Sequence, residues 1–367
     1  MIEFGIYSII TSIFPAFFIA PLGYLADRMS KRKLVIASGF LSVLGPIWHA
    51  LANDWIGLIP GALIGSVVMI TRPARQALIA EDISPSERGG AFSTIFTLTM
   101  LPDTFMPIIA GLFLDRTEFI AGMRILLLVN AALRLIVAII RLRRLKESSI
   151  PYTRSEKSRE PASFKHFASE MFKPVIEIKM LRVMLVGVAL SSFASGLSGR
   201  YQSVFVVDVV GLSKTEWGLI TAIAGVVRVL TRIPFGRFSD RWGRRKSILI
   251  NYVLQPPAML AFALSRDFNG FLFSRVAQIL AFNFGTSAWE AMLVDITPAN
   301  MLGSLYGTMG TMDTVMMSVS AVPGSFVWDY VGPEWVFYLG TVARVFAVGY
   351  LYLYLKEPKK GENETNS

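Results

Sequence analysis

Acidic and basic side chains lie inside long apolar stretches of this chain, where a charge is costly and usually serves a function. Asp103 and Asp313 stand at related positions in the two halves of the sequence, and Arg134 and Arg344 are related in the same way. A carboxylate in apolar surroundings can carry a proton, and a nearby arginine can neutralise it or set its pKa. These four residues are therefore candidates for proton coupling or for intramembrane ion pairing.

The depths of Asp313 and Arg344 allow the two side chains to meet. Each lies about ten residues from the inner end of its apolar stretch, which is a depth of about 15 Å at the rise of an α-helix. Two interpretations stay open: a neutralised pair that holds two helices together, or a proton-carrying carboxylate whose pKa the arginine sets. Asp103 and Arg134 are a looser match.

The elements that must position these residues are long and hydrophobic. Hydrophobic residues make up 53% of the 367-residue chain, and several stretches reach the ~20 residues that cross a bilayer. Because a segment in lipid must satisfy its own backbone hydrogen bonds, we expect each stretch to be helical. Eleven spans are predicted, at residues 4–26, 33–52, 55–80, 90–114, 120–141, 181–208, 217–239, 247–265, 268–293, 303–328 and 335–355.

The composition argues against several kinds of site. The chain has no cysteine, which excludes disulfides and zinc-thiolate sites. It has two histidines, so a histidine metal site is not expected, and nothing in the sequence requires a cofactor. The formal charge of +10 would suggest nucleic acid in a soluble protein. Here most basic residues fall in short loops, so we expect no nucleic acid partner.

The loops between the spans alternate in charge. One set is rich in arginine and lysine and includes the C-terminal segment, whereas the basic residues of the other set are only Arg116, Lys214 and Arg266. The positive-inside rule places the first set, and the C-terminus with it, in the cytoplasm. We therefore expect a multi-pass protein of the cell membrane, acting as a monomer.

An eleven-residue pattern occurs twice, and the surrounding sequence repeats with it. It begins at Gly23 and again at Gly236, an offset of 236 − 23 = 213 residues. The copies are Gly23-Tyr24-Leu25-Ala26-Asp27-Arg28-Met29-Ser30-Lys31-Arg32-Lys33 and Gly236-Arg237-Phe238-Ser239-Asp240-Arg241-Trp242-Gly243-Arg244-Arg245-Lys246. The halves align without a gap over roughly a hundred residues, which is typical of transporters built from parallel repeats.

Both copies resemble the signature loop G-x-L-x-D-R-x-G-R-R-K of the major facilitator superfamily, with Ser30 replacing the inner glycine in the first copy. Residues 81–90 resemble the loop after that family's fourth helix, and Arg275-x-x-Gln278 resembles the opening of its fourth-helix motif. The resemblance implies an all-α membrane protein of two helix bundles related by a pseudo-two-fold repeat, here with five and six spans. It carries little information about the solute.

The resemblance also gives the doubled motif a role. It implies that Asp27 and Asp240 contact neighbouring helices at the cytoplasmic face when the protein is open outward. Asp82 and Asp295 are the natural acidic partners of the motif arginines, because a carboxylate among arginines is favoured in its charged form. A conformational latch is therefore predicted from Asp27, Arg28, Arg32, Asp82, Asp240, Arg241, Arg245 and Asp295. The alternative is a pair of positive-inside anchors without a switching role.

In this family the first, fourth, seventh and tenth of twelve helices line a central cavity. Spans 181–208 and 268–293 correspond to the seventh and tenth, and they carry the candidate solute-cavity residues Arg200, Tyr201, Asn283 and Glu290. Arginines outnumber acids within the spans, which favours an anionic or strongly polar solute. Pairing between helices is the alternative explanation for these arginines.

Four parts are predicted along the chain. Residues 1–141 form an N-terminal bundle, 142–180 a cytoplasmic linker with an interfacial helix, 181–357 a C-terminal bundle and 358–367 a disordered tail. The second half has a helix before its motif unit, so the repeat predicts one of roughly 30–40 residues before the first span. A misassigned start, a truncated gene or an eleven-helix protein would each account for a chain without it.

The predicted function is secondary active transport of a small solute by alternating access. Proton coupling is a hypothesis that rests on Asp103, Asp313 and Glu290. The alternative is a non-transporting membrane scaffold or receptor that retains the fold. The nucleotide-binding pattern G-x-x-x-x-G-K-[ST] does not occur, so direct drive by ATP is not expected, and no catalytic motif indicates an enzyme.

Overall fold

A computed structural model describes residues 1–12, 30–70, 88–145, 172–298 and 301–357 of the chain. All regular structure in these ranges is helical, as a backbone in lipid requires. The helices are α1 (Ile2–Ser12), α2 (Lys31–Leu51), α3 (Leu58–Ile70), α4 (Arg88–Leu114), α5 (Phe119–Arg144), α6 (172–177), α7 (Lys179–Ser198), α8 (Lys214–Trp242), α9 (Arg244–Leu264), α10 (Phe268–Ile296), α11 (Leu302–Val319), α12 (Ala321–Tyr330) and α13 (Trp335–Tyr354).

Six helical segments of the described residues are long and apolar enough to cross a membrane. They are Arg32–Leu51, Phe119–Arg144, Lys179–Val209, Lys214–Ser239, Arg244–Leu264 and Trp335–Tyr354. The shorter apolar helices Ile2–Ser12, Leu58–Val68 and Leu98–Leu114 fall in other predicted spans. The all-helical membrane fold is thus confirmed, and the number of eleven spans stays a prediction.

Contacts divide the chain into two compact units. The larger unit comprises Met1–Gly5, Asp103–Gly111 and Ala168–Ser367, and the smaller comprises Ile6–Pro102 and Leu112–Phe167. The predicted boundaries at residues 141, 180 and 357 stay predictions. Most of the predicted linker and the tail at 358–367 lie outside the described residues.

In the smaller unit α2 packs against α3 and α5. Small residues permit the close approach: a Cβ built on Gly39 would lie 3.5 Å from that of Ala138 on α5. Side chains also fix where these helices begin. Ser30 Oγ accepts the backbone N–H of Lys33 at the start of α2. Glu118 accepts two backbone N–H groups at the start of α5, and these hydrogen bonds lower the pKa of its carboxyl.

The larger unit contains two apolar clusters, toward opposite ends of α7. One cluster gathers Leu181, Met184, Ile248, Met292, Leu305 and Leu351. The other is aromatic and gathers Tyr201, Phe205, Phe262, Phe271 and Phe337. Helix α7 contributes to the first cluster and the turns that directly follow it contribute to the second, so α7 is held at a defined position against α11 and α13.

The helical segment continues from α7 to Val209 with altered geometry, and α7 hereafter includes these turns (Lys179–Val209). A 3-10 turn at Gly199–Tyr201 and a short α-helical turn at Gln202–Val204 lead into a π-helical turn at Phe205–Val209. The N–H of Val210 donates to the carbonyl of Phe205 at 3.0 Å, which closes the wider turn. Turns of this kind are frequent at functional sites.

Candidate functional site

Arg275, Gln202 and Gln278 form a polar cluster inside the larger unit. Nη1 of Arg275 donates to Oε1 of Gln202 at 2.9 Å and to Oε1 of Gln278 at 3.1 Å. Nε2 of Gln202 donates to the same oxygen of Gln278 at 3.2 Å. The two glutamines are only 4% and 6% exposed. The network therefore joins α7 to α10 through buried polar groups.

The local fold explains why these three side chains meet. Arg275 and Gln278 are three residues apart on α10, so they lie on one face of that helix. Gln202 lies directly after the 3-10 turn of α7 and before its π-helical turn. Helix α9 completes the surroundings, because Gln255 Nε2 donates to the backbone carbonyl of Gln278 at 3.2 Å.

Two donors of this cluster are left without a partner. Nε of Arg275 and Nε2 of Gln278 are buried, and neither donates a hydrogen bond to any described residue. A buried donor without a partner costs about 1–3 kcal/mol, so a fold seldom keeps one without a reason. The cluster is therefore the strongest candidate in this unit for a group that receives a ligand.

The side chains of Asp313 and Arg344 have separate partners. Asp313 accepts a hydrogen bond from Oγ of Ser192 on α7. Nη1 of Arg344 donates to three oxygens, those of Ala194 (3.3 Å), Ser198 (3.0 Å) and Gly340 (3.0 Å). The two side chains therefore do not form an ion pair with each other in this structure, and their part in coupling stays a prediction. Helix α7 packs against both α11 and α13. Its Ser192 donates to Asp313, and its Ala194 and Ser198 accept from Arg344.

The matching residues of the first half have other surroundings. Arg134 is exposed, donating from Nε to Oδ1 of Asn130 at 2.7 Å and from Nη1 to the carbonyl of Ser42 at 3.4 Å. Asp103 is exposed on α4. A role for either residue in coupling stays a prediction.

Two of the four predicted cavity residues are buried and form hydrogen bonds between helices. Tyr201 is 1% exposed, donates from its hydroxyl to the carbonyl of Ala321 at 2.7 Å and stacks on Trp328. Asn283 is 4% exposed, and its Nδ2 donates at 2.8 Å to Arg228 O and to Thr231 Oγ1. These contacts tie helices together, and a place for either residue in a solute cavity stays a prediction.

The other two predicted cavity residues stay predictions. Glu290 is exposed on α10 and accepts a hydrogen bond from the hydroxyl of Tyr306 at 3.1 Å. Arg200 is half-buried in the 3-10 turn of α7.

The predicted latch is described mainly in the second half. Nη1 of Arg244 forms an ion pair with Oδ2 of Asp295. The acid therefore has a motif arginine as partner, but that arginine is neither Arg241 nor Arg245, the two predicted. Arg241 is exposed. Asp27, Arg28 and Asp82, and the side chain of Asp240, lie outside what the structure describes.

Arg32 and Arg245 make the same contact in the two halves. Arg32 donates from Nε to the carbonyl of Leu145 at 2.7 Å, and Arg245 donates from Nε to that of Leu355 at 2.6 Å. The arginines are 245 − 32 = 213 residues apart, and their acceptors 355 − 145 = 210. The internal repeat is therefore present in the contacts, with its offset shortened in the last helix of each half.

The doubled contact agrees with the comparison to protein families. The model of the Major Facilitator Superfamily matches residues 2–205 and, a second time, residues 184–367. The chain belongs to this superfamily. It is accordingly a multi-pass membrane protein that moves a small solute by secondary transport with alternating access, and the scaffold alternative is not favoured.

Two curated relatives match almost the whole chain. Magnetosome protein MamH of Paramagnetospirillum magneticum is 25% identical, with 95% of this chain and 82% of MamH covered. Multidrug resistance protein MdtG of Proteus mirabilis is 22% identical, with 97% and 86% covered.

Solved structures of the superfamily share the fold. The nucleoside transporter NupG is 15% identical, with a TM-score of 0.73 and coverage of 97% of this chain and 91% of NupG. A bacterial homologue of the human lysosomal transporter Spinster is 14% identical, with a TM-score of 0.73 and coverage of 96% and 88%. At these identities the similarity shows the fold alone.

The superfamily motifs indicated some of the residues that the structure brings together, and missed others. Arg275 and Gln278 belong to a recognisable motif, but Gln202 does not, since one polar residue in an apolar span carries no distinctive signal. Glu357 was also missed, although a signal exists. The sequence Leu-Lys-Glu occurs at 145–147 and again at 355–357, directly after the last helix of each half.

Proposed function

We propose that this transporter couples its solute to protons and that Asp313 carries the proton. It acts as a monomer in the cell membrane with its C-terminus in the cytoplasm, and it has neither a nucleic acid partner nor an enzymatic step. The observation that carries the proposal is the environment of Asp313. Its exposed carboxylate lies within α11 and accepts a hydrogen bond from Ser192 on α7.

The lack of a cation beside Asp313 supports this role. Among the described residues no arginine or lysine forms an ion pair with its carboxylate, and Arg344 is engaged elsewhere. A charge within the membrane is costly unless it is paired or removed. A proton is the simplest means of neutralising this carboxylate. Proton binding that favours one conformation over the other would couple the proton to the solute.

Glu290 and Asp103 are the alternative carriers. Glu290 already accepts from the hydroxyl of Tyr306 and stands six residues from the end of α10, nearer the aqueous phase. Asp103 is exposed on α4. We consider both residues less suited than Asp313 to carry the proton, and Glu290 serves as the comparison in the test.

The ion pair of Arg244 and Asp295 supports a latch at the end of α10. The pair is partly exposed, and an exposed ion pair contributes little stability by itself. The packing of α9 against α10 is therefore what holds the two side chains together. We propose that it is intact in one conformation and broken in the other, which biases the two-state equilibrium. Asp27, Arg28, Arg32, Asp82, Asp240, Arg241 and Arg245 retain their proposed share in the latch.

The test uses purified protein in liposomes that contain a pH-sensitive dye. Addition of a transported solute should change the internal pH, and an imposed pH gradient should drive accumulation of the solute. The first probe is uridine, because NupG is a nucleoside transporter. The second is ethidium, because MdtG is a multidrug resistance protein and similarity over 97% of this chain makes drug export the second candidate function.

The variant Asp313→Asn should abolish solute-dependent proton movement while exchange of labelled solute continues. Glu290→Gln is the matched control and should retain both activities. Uptake that equilibrates the solute but ignores the pH gradient in the unaltered protein would overturn proton coupling. Normal coupling in Asp313→Asn, with loss of coupling in Glu290→Gln, would move the role to Glu290.

A further inference from the structure

Two arginines lie on neighbouring helices of the larger unit, and no acid among the described residues forms an ion pair with either of them. Arg275 lies on α10 and Arg228 lies on α8. The two helices pack against each other. Like charges in a medium of low dielectric repel each other, and an anion bound between two arginines would offset that repulsion.

Arg228 is available for such an anion. Its side chain is exposed, and its guanidinium donates no hydrogen bond to any residue in the described part of the chain. Its backbone, by contrast, is fixed, because the carbonyl of Arg228 accepts from Nδ2 of Asn283 at 2.8 Å. The backbone of Arg228 is therefore fixed, whereas no residue in the described ranges forms an ion pair with its guanidinium.

Arg275 is available in a different way. Nη1 of this guanidinium is used by Gln202 and Gln278, whereas its Nε is buried without a partner. The Nε2 group of Gln278 beside it is also without a partner. Two orphaned donors on one face of α10 are complementary to the oxygen atoms of a carboxylate or a phosphate.

The register of the helices sets the size of the ligand. The hydrogen bonds from Asn283 place it at the depth of Arg228. Arg275 lies 283 − 275 = 8 residues nearer the start of α10, which is about 12 Å of helix. The long side chains of two arginines can share one anion across such a distance when it belongs to an organic molecule, rather than to a halide ion.

We propose that the transported solute is an organic anion, whose carboxylate or phosphate group binds between Arg228 and Arg275, with Gln202 and Gln278 orienting Arg275. This inference deepens the proposed function by naming the class of solute. It does not depend on which carboxylate carries the proton. It also accounts for the excess of arginines over acids within the spans.

The experiment measures thermal stability of the purified full chain with matched pairs of probes. The pairs are uridine 5′-monophosphate with uridine, and benzoate with benzamide, which differ mainly in charge. The anionic member of at least one pair should raise the unfolding temperature saturably, and its uncharged partner should not. Stabilisation by the uncharged member alone, or by neither member of both pairs, would overturn the proposal.

Arg228→Gln is the decisive variant, because the exposed and unpartnered side chain can be replaced without loss of a fold contact. The affinity for the anion should fall about tenfold or more, as expected for loss of a charged hydrogen bond. Arg228→Lys should restore part of the affinity. Arg237 is exposed near the C-terminal end of α8, and Arg237→Gln should leave the affinity unchanged. Unaltered affinity in Arg228→Gln would overturn the proposal.

A lipid headgroup offers the same chemistry as a phosphate-bearing solute. Mixed micelles with phosphatidylglycerol or phosphatidylcholine separate the two sources. Stabilisation that needs Arg228 and occurs with phosphatidylglycerol but with no soluble anion would assign the site to lipid and contradict a transported anion. Binding of soluble anions with no proton movement in liposomes would leave the anion site standing and refute only the proton coupling.

Discussion

At the scale of single residues, hydrogen-bond satisfaction separates structural polar groups from candidate ligand groups. Asn283 and Arg275 lie on the same helix, eight residues apart (283 − 275 = 8), and both are polar residues of a predicted membrane span. The Nδ2 of Asn283 has two acceptors, whereas the Nε of Arg275 has none. Residue type alone marks both positions as unusual, and only the partners distinguish them.

Asn283→Ala should destabilise the protein without changing its choice of solute. The substitution removes two part-buried hydrogen bonds between α10 and α8, each worth about 0.5–1.5 kcal/mol. We expect the free energy of unfolding to fall by about 1–3 kcal/mol in mixed micelles.

Asn269→Ala is the control, because Asn269 is exposed at the start of the same helix. It should leave the free energy of unfolding nearly unchanged. Equal stability of the Asn283 and Asn269 variants would show that the bridge to α8 contributes little. If Asn283→Ala lost solute binding but kept full stability, Asn283 would be assigned a role in binding the solute.

At the scale of the helix, the two halves begin the corresponding helix in different ways. Ser30 caps α2 with its own hydroxyl. Gly243 precedes α9 and has no side chain with which to cap it, and it adopts a φ of 94°. The carboxylate of Glu357 performs the task instead, accepting the backbone N–H groups of Arg244 and Arg245, each at 2.9 Å. A negative charge at this end of a helix is also favoured by the helix dipole.

Glu357→Ala should lower the stability of the second half by about 0.5–2 kcal/mol, the usual cost of losing a helix cap. Thermal unfolding of the purified protein would measure the change. Lys356→Ala is the matched control, since Lys356 is exposed and adjacent in sequence. A Glu357 variant as stable as the Lys356 variant would mean that solvent caps α9 equally well.

At the scale of the whole molecule, the repeat is a property of both sequence and structure. Each half uses an arginine near the start of one helix to hold the carbonyl groups at the end of its last helix. The described contacts reproduce this arrangement in both halves. The orientation of this arrangement in the membrane is what loop charge predicts.

Single cysteines can test the orientation, because the chain has none of its own. Arg116 follows α4 and Lys246 lies near the start of α9, and both side chains are exposed. A membrane-impermeant maleimide should label Arg116→Cys in intact cells and Lys246→Cys only after the cells are permeabilised. Labelling in the reverse order would place the motif loops outside and contradict a cytoplasmic C-terminus.

The sequence by itself determined the helical membrane fold, the repeat and the superfamily. Apolar length, loop charge and the doubled motif are properties of consecutive residues, and lipid leaves such segments no alternative to helix. It also marked Asp313, Arg344, Asn283 and Asp295 as residues of interest. Those marks follow from the cost of polar groups in apolar spans.

Only the tertiary structure decided which of these residues meet. Asp313 and Arg344 have compatible depths, but each side chain forms a hydrogen bond with α7 rather than with the other. Gln202 and Arg275 are 275 − 202 = 73 residues apart in the chain, and they meet where α7 leaves regular helical geometry. Such pairings depend on the rotation and register of packed helices, and those are fixed by side-chain packing across several elements rather than by any local pattern.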